Sequence, residues 1–144
     1  MAISRLDHYS IRTAKLEDTR RFYVDVMGFE DGPRPPFKFP GAWLYSQGTA
    51  VVHVVGIDPN DKAGLLEYLG DKGGDDVAGT GVLDHVAFTA AGLPEMYERL
   101  RRHEVAFRER TVPNLGLHQL FLEDPNGVTI ELNYPAAEAP AEST

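Results

Sequence analysis

The sequence predicts an α+β protein made of paired βαβββ modules. The triplet Leu-Asp-His occurs twice, as Leu6-Asp7-His8 in LDHYSI and as Leu83-Asp84-His85 in LDHVAF. The same succession of patterns follows each copy: a strand, a helix, then further strands. A single module of about 60 residues would struggle to bury a sufficient core, so the two are expected to pair within one domain over 1–134.

In the first module, about 4–56, ISRLDHYSI has β-forming character. TAKLEDTRRFYVDVMGF then places Leu16, Tyr23, Val26 and Met27 near helical spacing, with Gly28 near the helix end. GPRPPFKFPG is too rich in proline for a helix or a central strand, and AWLYS and TAVVHVVG are two short apolar runs split by Gln47-Gly48. The stretch 57–81 is a Gly- and Asp-rich connector with one short helix expected around 63–69. The second module, about 82–134, repeats the order. VLDHVAFTA reads as a strand. GLPEMYERLRRHEV reads as a helix with Pro94 in its first turn and Leu93, Met96, Tyr97 and Leu100 on its apolar face. VAFRERTV, LHQLFLE and GVTIELNY are three strands, the last two joined by the turn Asp124-Pro125-Asn126-Gly127. Residues 135–144 are small, polar and acidic, and a disordered tail is expected there.

Composition narrows the function. With 14 basic against 22 acidic residues the formal charge is -8, which argues against nucleic acid or an anionic membrane and for a small-molecule or protein partner. The absence of cysteine excludes disulfides, thiolate metal sites and thiol nucleophiles, so any metal must be held by nitrogen and oxygen. MAISRLDH lacks the apolar stretch of a signal peptide, and no run approaches the roughly twenty apolar residues of a membrane helix, so a cytoplasmic location is expected.

The histidines carry the functional signal. His53 lies 45 residues after His8 and Glu131 lies 46 after His85, so two equivalent pairs emerge, one partner in the opening strand and one in the closing strand of each module. Alternation puts His8 on one face with Leu6, Ser10 and Arg12. It puts Glu131 with Thr129 and Asn133, while Val128, Ile130 and Leu132 take the packed face. His53, flanked by valines, needs a partner for its ring nitrogens. Imidazole and carboxylate suit Fe, Ni, Zn, Mn or Co in the divalent state, and two histidines with one carboxylate is the set used by non-haem Fe(II) oxygenases. His103, at the end of a charged helix, reads as solvent-facing. Asp7 and Asp84 are expected to face away from the histidines.

The motifs LDHYSI with Arg12, RRFYVDVMGF, LDHVAF and FLEDPNGVTIEL, in this order, resemble the vicinal oxygen chelate superfamily of glyoxalases, fosfomycin- and bleomycin-resistance proteins and extradiol dioxygenases. The resemblance spans nearly all of residues 4–134. It implies an eight-stranded sheet curled into a cup around a divalent metal, held by His8, His85 and Glu131, with His53 in the slot of a fourth ligand that is Glu or Gln in glyoxalases. His53 would be either that ligand or a general base, and Glu131 would share the catalytic work. Substrate would meet Arg12, Trp43, Tyr45, His118 and Asn133, although only one of the neighbours His118 and Gln119 can face the cavity. The implied activity is lyase or isomerase proton transfer on a small molecule with adjacent oxygens, favoured over an Fe(II) extradiol-type dioxygenase because Phe121 stands where those enzymes carry a tyrosine. A metal-free binding or resistance protein is the reading from another class. The resemblance also implies a homodimer.

Overall fold

The computed structural model describes residues 5–57, 78–112 and 114–140. The chain divides into two compact units, Met1–Ala78 and Gly79–Thr144, with the boundary inside the expected connector. The short helix expected around 63–69 lies outside the described residues.

The first unit runs β1 (Tyr9–Thr13), α1 (Leu16–Arg21) continued by a wide turn (Phe22–Val26), β2 (Glu30–Gly32), β3 (Gly41–Ser46) and β4 (Thr49–Gly56). Its four strands form one sheet in the order β1-β4-β3-β2, with β1 parallel to β4 and the other pairs antiparallel. The Thr13 hydroxyl accepts the Lys15 amide at 2.8 Å where the chain turns into α1. The helix then buries Thr19, Phe22, Tyr23, Val26 and Met27 along one stripe. The expected helix differs in its last turn, which is widened: the Met27 amide reaches back to the Phe22 carbonyl. Gly28, with φ 78°, then lets the Phe29 amide reach the Tyr23 carbonyl, so the carbonyls at the helix end are satisfied. Between β3 and β4, Gln47 and Gly48 both take positive φ, 51° and 84°, the two-residue turn whose twist matches a hairpin. The strand that the proline-rich segment hid is the short edge strand β2, which ends just before Pro33.

The second unit runs β5 (Val86–Thr89), α2 (Leu93–Arg102), β6 (Phe107–Val112), β7 (Leu117–Glu123), β8 (Thr129–Pro135) and a short 3₁₀ turn (Ala136–Glu138). Its sheet has the equivalent order, β5-β8-β7-β6. Thus the eight strands form two four-stranded sheets, one per unit. Along β8, Ile130, Leu132 and Tyr134 are buried while Thr129, Glu131 and Asn133 are half-buried, the alternation the sequence predicts. Leu93, Met96 and Leu100 are the buried residues of α2, and Tyr97 beside them is half-buried. In the β7–β8 turn, buried Asp124 accepts the amides of Asn126 and Val128 at 2.7 and 2.9 Å, and Gly127 takes φ 85°. His103 caps the C-terminal end of α2 and is exposed, below a last turn that carries Arg99, Arg101 and Arg102.

The disordered tail expected over 135–144 is corrected for 135–140, and 141–144 lie outside the described residues. Pro135 completes β8, and the Glu138 carboxylate accepts the Gly92 and Leu93 amides at 3.0 and 3.2 Å. Gly92, the residue preceding the helix, has no side chain to cap it, so an acidic group from the far end of the unit meets the positive end of the helix. Composition could not reveal a cap 46 residues away in sequence. Among the described residues no helix is long and apolar enough to cross a membrane.

Candidate metal centre

Each unit brings one of the predicted pairs together, but the expected place of the first partner is corrected: His53 and Glu131 lie in strands, whereas His8 and His85 come just before theirs. In the first unit, Ser10 pairs with His53 and Arg12 with Val55 across β1 and β4, and Trp43 pairs with His53 across β3 and β4. Register therefore puts Arg12, His53 and Trp43 on one face. His8 comes just before β1, and its ring stacks on His53 at 3.7 Å between centroids and 14° between planes. On the opposite side of His53, Trp43 stacks at 3.9 Å and 10°. The buried imidazole is thus clamped between two rings.

The His53 Nε2 atom lies 3.1 Å from the Ala50 carbonyl, and a carbonyl can only accept, so Nε2 carries a proton. Burial, and next the charge of His8, hold the His53 pKa below the ordinary 6.5, against the opposing pull of the Ala50 carbonyl. At neutral pH the ring is therefore uncharged, with its lone pair on Nδ1. A histidine whose folded pKa is depressed contributes stability that is complete above pH 6.5 and is lost as pH falls through the folded value. In metal-free protein, the NMR titration of the His53 ring is expected to have its midpoint below 6.5, with nitrogen shifts of the Nε2-protonated tautomer. A midpoint at or above that value would contradict the clamp.

Trp43 is packed on the imidazole, and Tyr45 is held at the sheet edge. A Cβ built on Gly32 would lie 2.6 Å from the Tyr45 ring, so glycine is what lets the ring cross β2, and its hydroxyl donates to the Pro33 carbonyl. Tyr45, an expected substrate contact, is thereby tied to the edge strand through its hydroxyl. Phe37 and Phe39 stack on each other at 5.0 Å, with the Arg34 guanidinium 5.4 Å from each ring. Phe39 is buried against Val55 and belongs to the packing.

In the second unit, His85 comes just before β5, with Nε2 3.4 Å from Glu131 Oε1. The Glu131 side chain is 14% exposed and that of His85 37%. Cross-strand pairs order the rest of this face. Phe121 stands opposite Glu131, with the Arg108 guanidinium 5.0 Å above its ring, and Gln119 stands opposite Asn133. Asn133 Nδ2 donates to Glu131 Oε2 at 2.8 Å, so this amide supports a candidate ligand where a substrate contact was expected.

His118 is corrected. It is buried on the opposite face, 3.3 Å from the Tyr97 hydroxyl of α2 and 2.9 Å from Thr111 Oγ1, while Gln119 takes the polar face. Alternation alone shows that these neighbours diverge, and register with Glu131 decides which is which. Burial, followed by the Glu109 carboxylate, pushes the Tyr97 hydroxyl up to about 12.

The expectation that Asp7 and Asp84 face away is also corrected. Asp7 Oδ2 lies 2.7 Å from His8 Nδ1, and Asp84 Oδ2 lies 2.7 Å from His85 Nδ1. A carboxylate accepts, so each Nδ1 carries a proton, and Nε2 is the ring atom that offers a lone pair when the ring is neutral. The bond to His8 lowers the Asp7 pKa, and the bond to Asp84 raises that of His85, although both pairs lie at the surface where solvent screens them. The signal lay in the repeat itself, which preserves the aspartate along with the histidine. Among the described residues no group of three or more His, Asp or Glu side chains is gathered as a metal site, but the donor chemistry within each pair suits a divalent cation. Imidazoles with Nδ1–H held by a carboxylate are oriented as metal-binding histidines are, and Glu131 adds an anionic oxygen beside one of them.

The model for the Glyoxalase/Bleomycin resistance protein/Dioxygenase superfamily matches residues 5–132. Glyoxylase I 4 of Arabidopsis thaliana is 24% identical over 133 residues, spanning 90% of this chain and 70% of that protein. A glyoxylase/bleomycin resistance protein/dioxygenase domain from Frankia sp. EAN1pec is 17% identical, covers 93% of this chain and 99% of its own, and superposes with a TM-score of 0.69. The fosfomycin resistance protein FosX from Listeria monocytogenes, also 17% identical, covers 92% of this chain and 93% of its own, with a TM-score of 0.64. At these identities the likeness of the two structures is one of fold.

Proposed function

The chain belongs to the glyoxalase/bleomycin resistance protein/dioxygenase superfamily, and on that premise we propose that it is a divalent-metal-dependent enzyme. It acts on a small molecule with adjacent oxygens by proton transfer of the lyase or isomerase kind. The observation that carries this reading is the pair of Asp–His contacts at 2.7 Å, which occupy Nδ1 and leave Nε2 as the ring atom of His8 and of His85 that can bind an ion.

His8, His85 and Glu131 would hold the ion. When bound, it supplies a Lewis acid that stabilises negative charge developing on a substrate oxygen. His53 is better suited to the proton than to the ion. An imidazole lone pair lies in its ring plane, and the His8 and His53 planes run nearly parallel with centroids 3.7 Å apart. Two such lone pairs do not converge on one ion about 2.0–2.1 Å from each nitrogen. His53, neutral and holding its Nε2–H on Ala50, would therefore take a substrate proton on Nδ1, while Trp43 keeps the ring from swinging. Arg12 shares that face and would meet an acidic group of the substrate. Phe121 and the stem of Arg108 would offer an apolar wall beside Glu131.

A second reading, an Fe(II) dioxygenase, is favoured by the same placement of His53, because three ligands leave positions open for substrate and dioxygen. Phe121 has no hydroxyl to contribute, which keeps this reading second. The test is elemental analysis of protein purified without chelators, followed by addition of Fe(II), Ni(II), Zn(II), Mn(II) or Co(II). About one ion per chain is the expected result, and no binding of any of the five leaves the metal-free binding protein as the reading. Dioxygen consumption that depends on both Fe(II) and a diol substrate would replace proton transfer with ring cleavage.

A further inference from the structure

A row of hydrogen bonds crosses three strands of the second unit and ends on Glu131. Arg110, Gln119 and Asn133 pair across β6, β7 and β8. Arg110 Nε donates to Gln119 Oε1 at 2.8 Å, Gln119 Nε2 donates to Asn133 Oδ1 at 2.9 Å, and Asn133 Nδ2 donates to Glu131 Oε2 at 2.8 Å. The sense of the row is set from both ends. A guanidinium can only donate and a carboxylate can only accept, so neither amide can turn over without opposing two acceptors or two donors. Gln119 is buried, which makes such a mismatch costly. One oxygen of Glu131 is therefore held by Asn133, and the other, Oε1, is the one near His85.

We propose that Arg110 is a positioning residue that acts through Gln119 and Asn133 to orient the Glu131 carboxylate, so that Oε1 is the oxygen offered to a metal. This rests on the metal-enzyme reading above. The row also accounts for a residue the proton-transfer chemistry leaves unused, since Gln119 touches neither His85 nor Glu131 yet is buried among polar partners on their face.

The discriminating variant is Gln119→Glu, which keeps the side-chain shape and loses the amide donor. Asn133 must then turn over to donate to the new carboxylate, and its oxygen meets Glu131 Oε2. An added negative charge alone would tighten cation binding. Reversal of the row weakens it instead, on the order of 10- to 100-fold, as loss of a partner that orients a ligand does. The measurement is Co(II) affinity by calorimetry on the full chain, with the visible Co(II) spectrum as a report of the ligand geometry and thermal melting as a check of the fold. Arg110→Met is expected to weaken Co(II) binding in the same direction and Arg110→Lys to restore it, a pair that reads the same property should Gln119→Glu fail to fold. If the natural protein binds no Co(II), the metal reading itself falls. If it binds and Gln119→Glu, or failing its folding Arg110→Met, binds equally or more tightly with the same spectrum, the row is only a brace of the sheet and the positioning role is overturned.

Discussion

Replacing His85 with alanine is expected to leave a folded protein that no longer retains a divalent ion through dialysis. The side chain is 37% exposed and lies just outside β5, so its loss removes little packing, and stability should change by no more than about 0.5 kcal/mol. What it removes is the Nε2 lone pair beside Glu131. Asp84→Asn should have a smaller effect of the same sign, a weakening of roughly 10-fold, because the amide no longer fixes the Nδ1–H tautomer so strongly. Metal content after dialysis, read with a melting curve on the same sample, checks both. Stoichiometric metal in His85→Ala would remove His85 from the ligand set.

The largest loss of stability is expected from Leu120→Ala. Leu120 is fully buried at the centre of β7, opposite Leu132 of β8. Deleting a buried leucine side chain costs about 2–5 kcal/mol, the lost transfer from water plus the cavity left behind. For a chain of this size each kcal/mol lowers the melting temperature by about 2–4 °C, so a fall of about 10 °C is expected. Leu115→Ala, at 68% exposure, should change stability by less than about 0.5 kcal/mol. Urea midpoints of the two variants decide the matter, and equal shifts would contradict the placement of β7 in the core.

Much of the fold was legible because its signals are local. The repeated triplet marked the modules, Pro94 the start of α2, Gln47-Gly48 a hairpin, and the alternation through Val128, Ile130 and Leu132 the packed face of the last strand. Features that depend on distant partners were not legible. Glu138 caps a helix that begins at Leu93, the edge strand β2 hid before prolines, and the side of the sheet taken by His118 follows from register with β8. The aspartates of the two triplets were misread for another reason. Strict alternation sends neighbours to opposite faces, but Asp7 and Asp84 precede their strands, where the backbone is not bound by the pleat.

The strand order β1-β4-β3-β2 and its counterpart β5-β8-β7-β6 have a kinetic side. Within each sheet the strand that follows a Leu-Asp-His triplet touches only the last strand made, across a parallel pairing that no hairpin can nucleate. The hairpins β3–β4 and β7–β8 can zip early, whereas β1 and β5 must wait for loop closure over a long stretch of chain. His8 and His85 are thus among the last side chains to be set in place in their own sheets, and contacts made that late govern how fast each unit opens more than how fast it forms.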